Sequence, residues 1–131
     1  MLQKILAIDF GTQRVGLATS QASFAFPLEI LPNSPAVFEE LVEILRIHEI
    51  QKILIGLSEG AMAEQTKAFA KKLQEYTKLP IEFADETLSS HAVHTKLKNA
   101  KLTKPGQRID HYAAAEFLQE WLDSQPQDET V

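Results

Sequence analysis

The chain predicts an α/β domain on a mixed five-stranded sheet, and three observations carry that prediction. Runs rich in β-branched and aliphatic residues over Lys4–Asp9, Arg14–Ser20 and Phe24–Leu31 follow one another with short turns between them, the pattern of an antiparallel meander. After Leu31, helical periodicity and short apolar runs alternate, as they do when crossover helices add further strands to a sheet. A length of 131 residues with 44% hydrophobic content fills one core and is too short for two domains of usual size, so residues 1–123 are expected to form a single domain.

Each element has a local reason. Pro27 interrupts the third run and places it at an edge, because proline cannot donate to a ladder. Asn33-Ser34-Pro35 offers a helix start, with Ser34 as cap and Pro35 in the first position, before Val37, Phe38, Leu41, Ile44 and Leu45 at helical spacing. Lys52–Leu57 reads as a short buried strand. Ala61–Thr77 reads as a helix that turns Met62, Phe69, Ala70, Leu73 and Tyr76 inward, and Ile81–Ala84 as a further strand. Helices over Leu88–Lys98 and Ile109–Leu122 complete the domain, and the polar, proline-containing segment 124–131 is expected to be a disordered tail.

Composition narrows the function classes. No segment approaches the roughly 18 apolar residues of a membrane span, and the start of the chain lacks the pattern of a secretory signal, so a cytoplasmic protein without a membrane partner is expected. The absence of cysteine excludes disulfides, thiolate metal sites and cysteine nucleophiles. A net charge of -5 argues against a coat-like nucleic-acid binder, yet Lys96, Lys98, Lys101, Lys104 and Arg108 form a basic strip free of acids. Such a run is either a solvated helix face or a phosphate-binding surface.

The acids supply the candidate chemistry. Asp9 ends an apolar strand and meets the turn Gly11-Thr12-Gln13-Arg14-Val15-Gly16. A carboxylate there is costly unless a cation or several hydrogen bonds meet it, although Asp-x-Gly is also an ordinary turn. Asp110 shares a helical stripe with Ala113, Ala114, Phe117, Leu118, Trp121 and Leu122, so it faces the sheet or simply caps the helix. Asp85-Glu86 emerges at a strand end, where ligands of such sheets gather, and only one of the pair need face inward. With Glu86 as that one, Asp9, Glu86 and Asp110 make an oxygen-donor cluster suited to magnesium or manganese, and to two-ion phosphodiester hydrolysis.

Four blocks then carry a resemblance: Ile8 to Ala18, Ile55-Gly56-Leu57, Asp85 to Ser90, and Asp110-His111-Tyr112-Ala113-Ala114-Ala115. In order and spacing they resemble the YqgF family, also called RuvX-like, of Holliday-junction resolvase-like proteins and pre-16S rRNA nucleases. The resemblance implies an RNase H-like (RuvC-like) fold with helices on both faces of the sheet. It implies a metal-dependent endonuclease acting on precursor 16S ribosomal RNA or branched DNA, as a monomer or weak homodimer. It makes Asp9, Glu86 and Asp110 the catalytic, metal-binding acids of two Mg2+ or Mn2+ ions, and it sets Arg14 beside the substrate phosphates. Lys101, Lys104 and Arg108 join Arg14 as expected nucleic-acid contacts. Three departures stand out: Ser58-Glu59-Gly60 replaces a longer polar loop, Thr87 stands where the family usually has arginine, and the basic run before the last motif is thinned to Lys104, Gln107 and Arg108.

Rival readings remain at this stage. Gly56-Leu57-Ser58-Glu59-Gly60 matches the Gly-x-Ser-x-Gly elbow of a serine hydrolase, with His91, His94 or His111 as a base, but hydrolases of that class commonly need roughly 200 residues or more. Asp9-Phe10-Gly11-Thr12 also looks like the phosphate loop of actin-like or sugar-kinase ATPases, which close two lobes where this chain has room for one. A catalytically silent nucleic-acid-binding module of the same fold is the third. His91 and His94 have metal-ligand spacing without a third ligand. Phe117, Trp121 and Phe69 read as core, and Phe10 reads either as core or as part of the site.

Overall fold

A computed structural model describes residues 3–57, 60–85 and 110–125, with the side chains of Ala61, Asp85, Asp110 and His111 outside the description. The five strands are β1 (Ile5–Phe10), β2 (Arg14–Gln21), β3 (Phe24–Pro32), β4 (Lys52–Leu57) and β5 (Ile81–Asp85). They form one sheet in the order β3-β2-β1-β4-β5, antiparallel across β3-β2-β1 and parallel across β1-β4-β5. The described helices are α1 (Val37–Ile47), α2 (Ala61–Leu73) and α3 (Asp110–Ser124). The helix expected over Leu88–Lys98 lies outside the described residues.

Strand alternation sorts the core into two layers. Leu6, Ile8, Val15, Leu17, Leu31, Ile53 and Ile55 point to one face and pack with Val37, Phe38, Leu41, Ile44 and Leu45 of α1 and Phe69, Ala70 and Leu73 of α2. Ile5, Ala7, Ala18 and Leu54 point to the other face and pack with Ala114, Phe117 and Leu118 of α3. Helices therefore cover both faces, as the resemblance implies. The stripe expected on α3 is present: Ala113, Ala114, Phe117 and Leu118 are buried, and Trp121 and Leu122 half-buried.

Several local expectations are corrected. Ser34 does not cap α1. Its carbonyl accepts from Val37 N–H at 2.9 Å, closing a turn with Pro35 in its second position, and the helix proper starts at Val37 with no side-chain cap. The second helix ends at Leu73 rather than Thr77, so Tyr76 lies in the following turn and stacks on Phe38 with ring centroids 5.1 Å apart. Thr66 was not among the expected inward residues, yet it is buried because its hydroxyl donates to the Met62 carbonyl one turn back at 2.8 Å. Pro27 does sit on an edge strand. It pairs with Ala18, while Leu17 pairs with Glu29, so Leu28 is left as a bulge that absorbs the missing donor. α3 continues to Ser124, past the expected end at Leu122, and residues 126–131 lie outside the described residues.

α3 is fixed at the end of the sheet where β1 and β4 begin. Gln119 accepts from Ala25 N–H and donates to the Ser23 carbonyl, both at 2.9 Å. On the other side of the helix, Trp121 Nε1 donates to Glu82 at 3.1 Å, and Lys52 Nζ lies 2.5 Å from the same carboxylate and 4.8 Å from the Trp121 ring centroid. Among the described residues no helix is long and apolar enough to cross a membrane.

The Lys52–Glu82–Trp121 contact generates a pH prediction. The hydrogen bond from Lys52, then that from the Trp121 indole, hold the Glu82 carboxyl below the ordinary 4.5. A depressed carboxyl pKa contributes stability that is present above the unfolded value and lost as pH falls through the folded one. Because the Glu82 side chain is 45% exposed, the contribution is screened and should be about 0.2–1 kcal/mol. Urea unfolding of the wild type and Glu82→Gln is expected to differ by that amount at pH 7 and to converge as pH falls from 4.5 through the lowered folded value; a constant difference across the range would remove the pair from the account.

Candidate active site

The site is built where β1, β4 and β5 end. Asp9 is the penultimate residue of β1 and half-buried, and alternation places it with Ile5 and Ala7 on the α3 face. Its partner on β2 is Gly16. On the other side, β1 and β4 pair up to Ile8 with Ile55, and one further step of that parallel register sets Asp9 beside Gly56. The carboxylate therefore rises between two buried glycines, with no side chain on either lateral neighbour.

The turn after β1 is tightly constrained. A Cβ on Gly11 would lie 2.6 Å from the Arg14 carbonyl oxygen, closer than any side chain tolerates against backbone. Asn33, just past β3, holds the same turn twice: its side-chain amide donates to the Gly11 carbonyl at 2.7 Å and its backbone N–H to the Gln13 carbonyl at 2.9 Å. Arg14 opens β2 and is half-buried. Since Val15 and Leu17 face α1 and α2, Arg14 and Gly16 face α3, on the side of Asp9.

α3 rises toward the same end. Ala114 packs in one cluster with Ala7, Ala18 and Leu54. From there to Asp110 is four residues of helix, about 6 Å, and from Ala7 to Asp9 is two residues of strand, about 6.7 Å. The start of α3, opened by Asp110, thus reaches the level of Asp9. Small Ala113 and Ala114, both fully buried, permit that close approach.

Of the residues expected in the site, Asp9 and Arg14 share a face, and Asp110 begins the helix directed at it. Glu86, Lys101, Lys104 and Arg108 lie outside the described residues, as do Ser58, His91 and His94. Glu86 follows Asp85, the last residue of β5, in the chain. Among the described residues no three acidic or histidine side chains are grouped to hold a metal ion, and of the three expected ligands only the Asp9 side chain is among them. Phe10 is resolved as core: its ring lies 4.9 Å from that of Phe69 under α2, on the face opposite Asp9. Sequence reading missed Gly16 and Gly56 as the flanks of Asp9, and Asn33 as the clamp. The glycines carry a signal only once strand register is known.

With this geometry in place, comparison with known proteins decides the family. Residues 3–124 match the family described as RuvX, Holliday junction resolvase. The chain belongs to this family. RuvX is a family of nucleases that act on nucleic acid. A relative from Maridesulfovibrio salexigens, provisionally named a pre-16S rRNA nuclease, is 39% identical over 131 residues, covering 91% of this chain and 97% of its own length. A second from Sulfurihydrogenibium, with the same name, is 33% identical over 132 residues, covering 93% and 91%. Among solved structures, Thermus thermophilus RuvC in complex with a Holliday junction substrate aligns with a TM-score of 0.63 at 14% identity, covering 94% of this chain and 95% of that one. At that identity the likeness speaks for the fold, which is RNase H-like with a five-stranded mixed sheet. RuvX membership leaves the serine-hydrolase and two-lobed ATPase readings without support.

The turn geometry predicts that Gly11→Ala forces the backbone of Arg14 to move. Unfolding in urea is expected to show a loss of about 1–3 kcal/mol. Stability equal to the wild type would mean that the turn relaxes freely, and would contradict the tight approach.

Proposed function

We propose that this RuvX protein is a cytoplasmic endonuclease that hydrolyses phosphodiester bonds of precursor 16S ribosomal RNA, with Asp9, Glu86 and Asp110 as its catalytic acids. The observation that carries this reading is Asp9 itself, a half-buried carboxylate between two glycines at the end of a central strand, facing the start of α3. The relatives that match along nearly their whole length support the substrate through their names. A branched DNA substrate is the second reading, favoured by the family's description.

Nucleases of this fold generally act with divalent metal ions. The donor set fits such ions, since carboxylate oxygens are the ligands that hard cations prefer, and Asp9, Glu86 and Asp110 are the residues that would hold two Mg2+ or Mn2+ ions. When bound, such ions supply an activated water and charge stabilisation for the leaving oxygen. The chain's own part is positional. Gly16 and Gly56 keep the space over Asp9 free for a sugar-phosphate backbone, and the helix start offers partial positive charge to anionic groups beside it. Arg14 contacts a phosphate on the same face, and Lys101, Lys104 and Arg108 extend the track along the strand. Contacts of this kind fix register without reading bases, so selectivity rests on substrate shape. The protein works as a monomer or weak homodimer.

Asp9→Asn keeps the shape of the side chain and removes its charge. Cleavage of precursor RNA and of branched DNA, each assayed with Mg2+ and Mn2+, is expected to fall to background in this variant while its melting temperature holds. If the wild type binds either nucleic acid but cuts neither, the chain is a binding module rather than an enzyme. For the basic strip, Lys104→Ala and Arg108→Ala are each expected to lower the slope of log affinity against log salt by about 0.7–0.9. Slopes unchanged in both would take those residues out of the interface.

A further inference from the structure

We propose that the notch between the ends of β2 and β3 is a nucleobase subsite beside the cleavage centre, an inference that rests on the nuclease reading above. The notch has a volume of about 300 Å³ and is lined by Gln13, Arg14, Ile30 and Pro32. Pro32 pairs with Arg14, Ile30 pairs with Gly16, and Gly16 pairs with Asp9, so one row of the α3 face runs from the carboxylate to the floor of the notch. Two strand spacings, about 10 Å, separate the β1 and β3 ends of that row. Among the described residues Gly16 stands between them on this row, and it has no side chain to block a strand lying across it.

The lining has the chemistry of a base pocket. Ile30 and Pro32 offer an apolar floor to the flat face of a base. The Gln13 amide carries both donors and an acceptor for a base edge, and Arg14 offers its guanidinium to the ring or to the adjoining phosphate. A free phosphate would use Arg14 and leave the apolar floor idle, whereas a nucleotide uses all four residues. Among the described residues the notch is also open. Gln119 ties α3 to Ala25 and Ser23 at the opposite end of β3. Asn33 directly follows Pro32 and holds the Gly11 and Gln13 carbonyls, so the walls are fixed before a ligand arrives and little ordering cost accompanies binding.

An abasic scan tests the proposal. Oligonucleotide substrates, each with one base removed at successive positions around the cut, are cleaved by the wild type, Gln13→Ala and Ile30→Ala, with melting temperatures measured alongside. Base removal at one position within about two nucleotides of the cut is expected to lower wild-type kcat/KM about tenfold, and the two variants should lose a similar factor on the intact substrate with little further loss on the abasic one. Affinity of the same oligonucleotides for Asp9→Asn separates the subsite from the chemistry. If affinity drops at that one position while no substrate is ever cut, the subsite stands and the nuclease reading fails; if the wild type and Asp9→Asn are indifferent to every abasic position, the subsite is refuted whatever happens to cleavage.

Discussion

A carboxylate at the end of a strand covered on both faces is the constraint on which the rest of this structure turns. β1 is the middle strand of five, and Ile5 to Ile8 are fully enclosed between two helical layers. A charge on the very next residue would be prohibitive in the same surroundings. The chain relieves it in three ways: β1 ends one residue after Asp9, both lateral neighbours are glycines, and the start of a helix rather than its bulk stands at that level. What makes the carboxylate tolerable also keeps side chains off the two strands beside it, the arrangement that the proposed function uses for its substrate.

The opposite end of the domain supplies the precision. α3 is a rod of about 22 Å over its 15 residues. Among the described side chains, its second half grips the sheet through Phe117 in the core and through Gln119 and Trp121 on opposite flanks of the helix. Gripping a rigid helix far from the site still orients its first turn, and Ala113 and Ala114 let that turn descend onto the strands. The contacts that set the geometry are thereby kept apart from the groups proposed to act on substrate. Substitutions in the grip should shift the helix start without touching any of those groups.

Much of this was legible in the sequence, and what was not follows from the range of the signal. Period-two and period-3.6 patterns located the five strands and the α3 stripe because burial on a known face dictates them. Errors fell where a local rule met a tertiary one. Ser34-Pro35 reads as a capped helix start, but the same residues close a turn first. Tyr76 continues the helical period of α2 yet lies beyond the helix, drawn to Phe38 by stacking. Asn33 carried a helix-start signal while its amide serves the β1–β2 turn. Gly16 and Gly56 acquire meaning only when β2 and β4 are aligned on β1, and cross-strand register is not written in either segment alone.

An acidic chain that acts on a polyanion raises an apparent conflict, which distance resolves. At physiological salt, charges more than about 8 Å from a phosphate are largely screened, so the net charge of -5 governs approach far less than the groups in contact. Arg14 on the Asp9 face and the acid-free strip from Lys96 to Arg108 give the proposed track its local sign. The overall negative balance still has an effect, because it weakens adhesion to any nucleic acid that fails to engage those groups. Weak background adhesion makes the fit of a particular substrate decisive, and the proposed notch on the same sheet face as the carboxylate is the kind of feature through which fit can be felt.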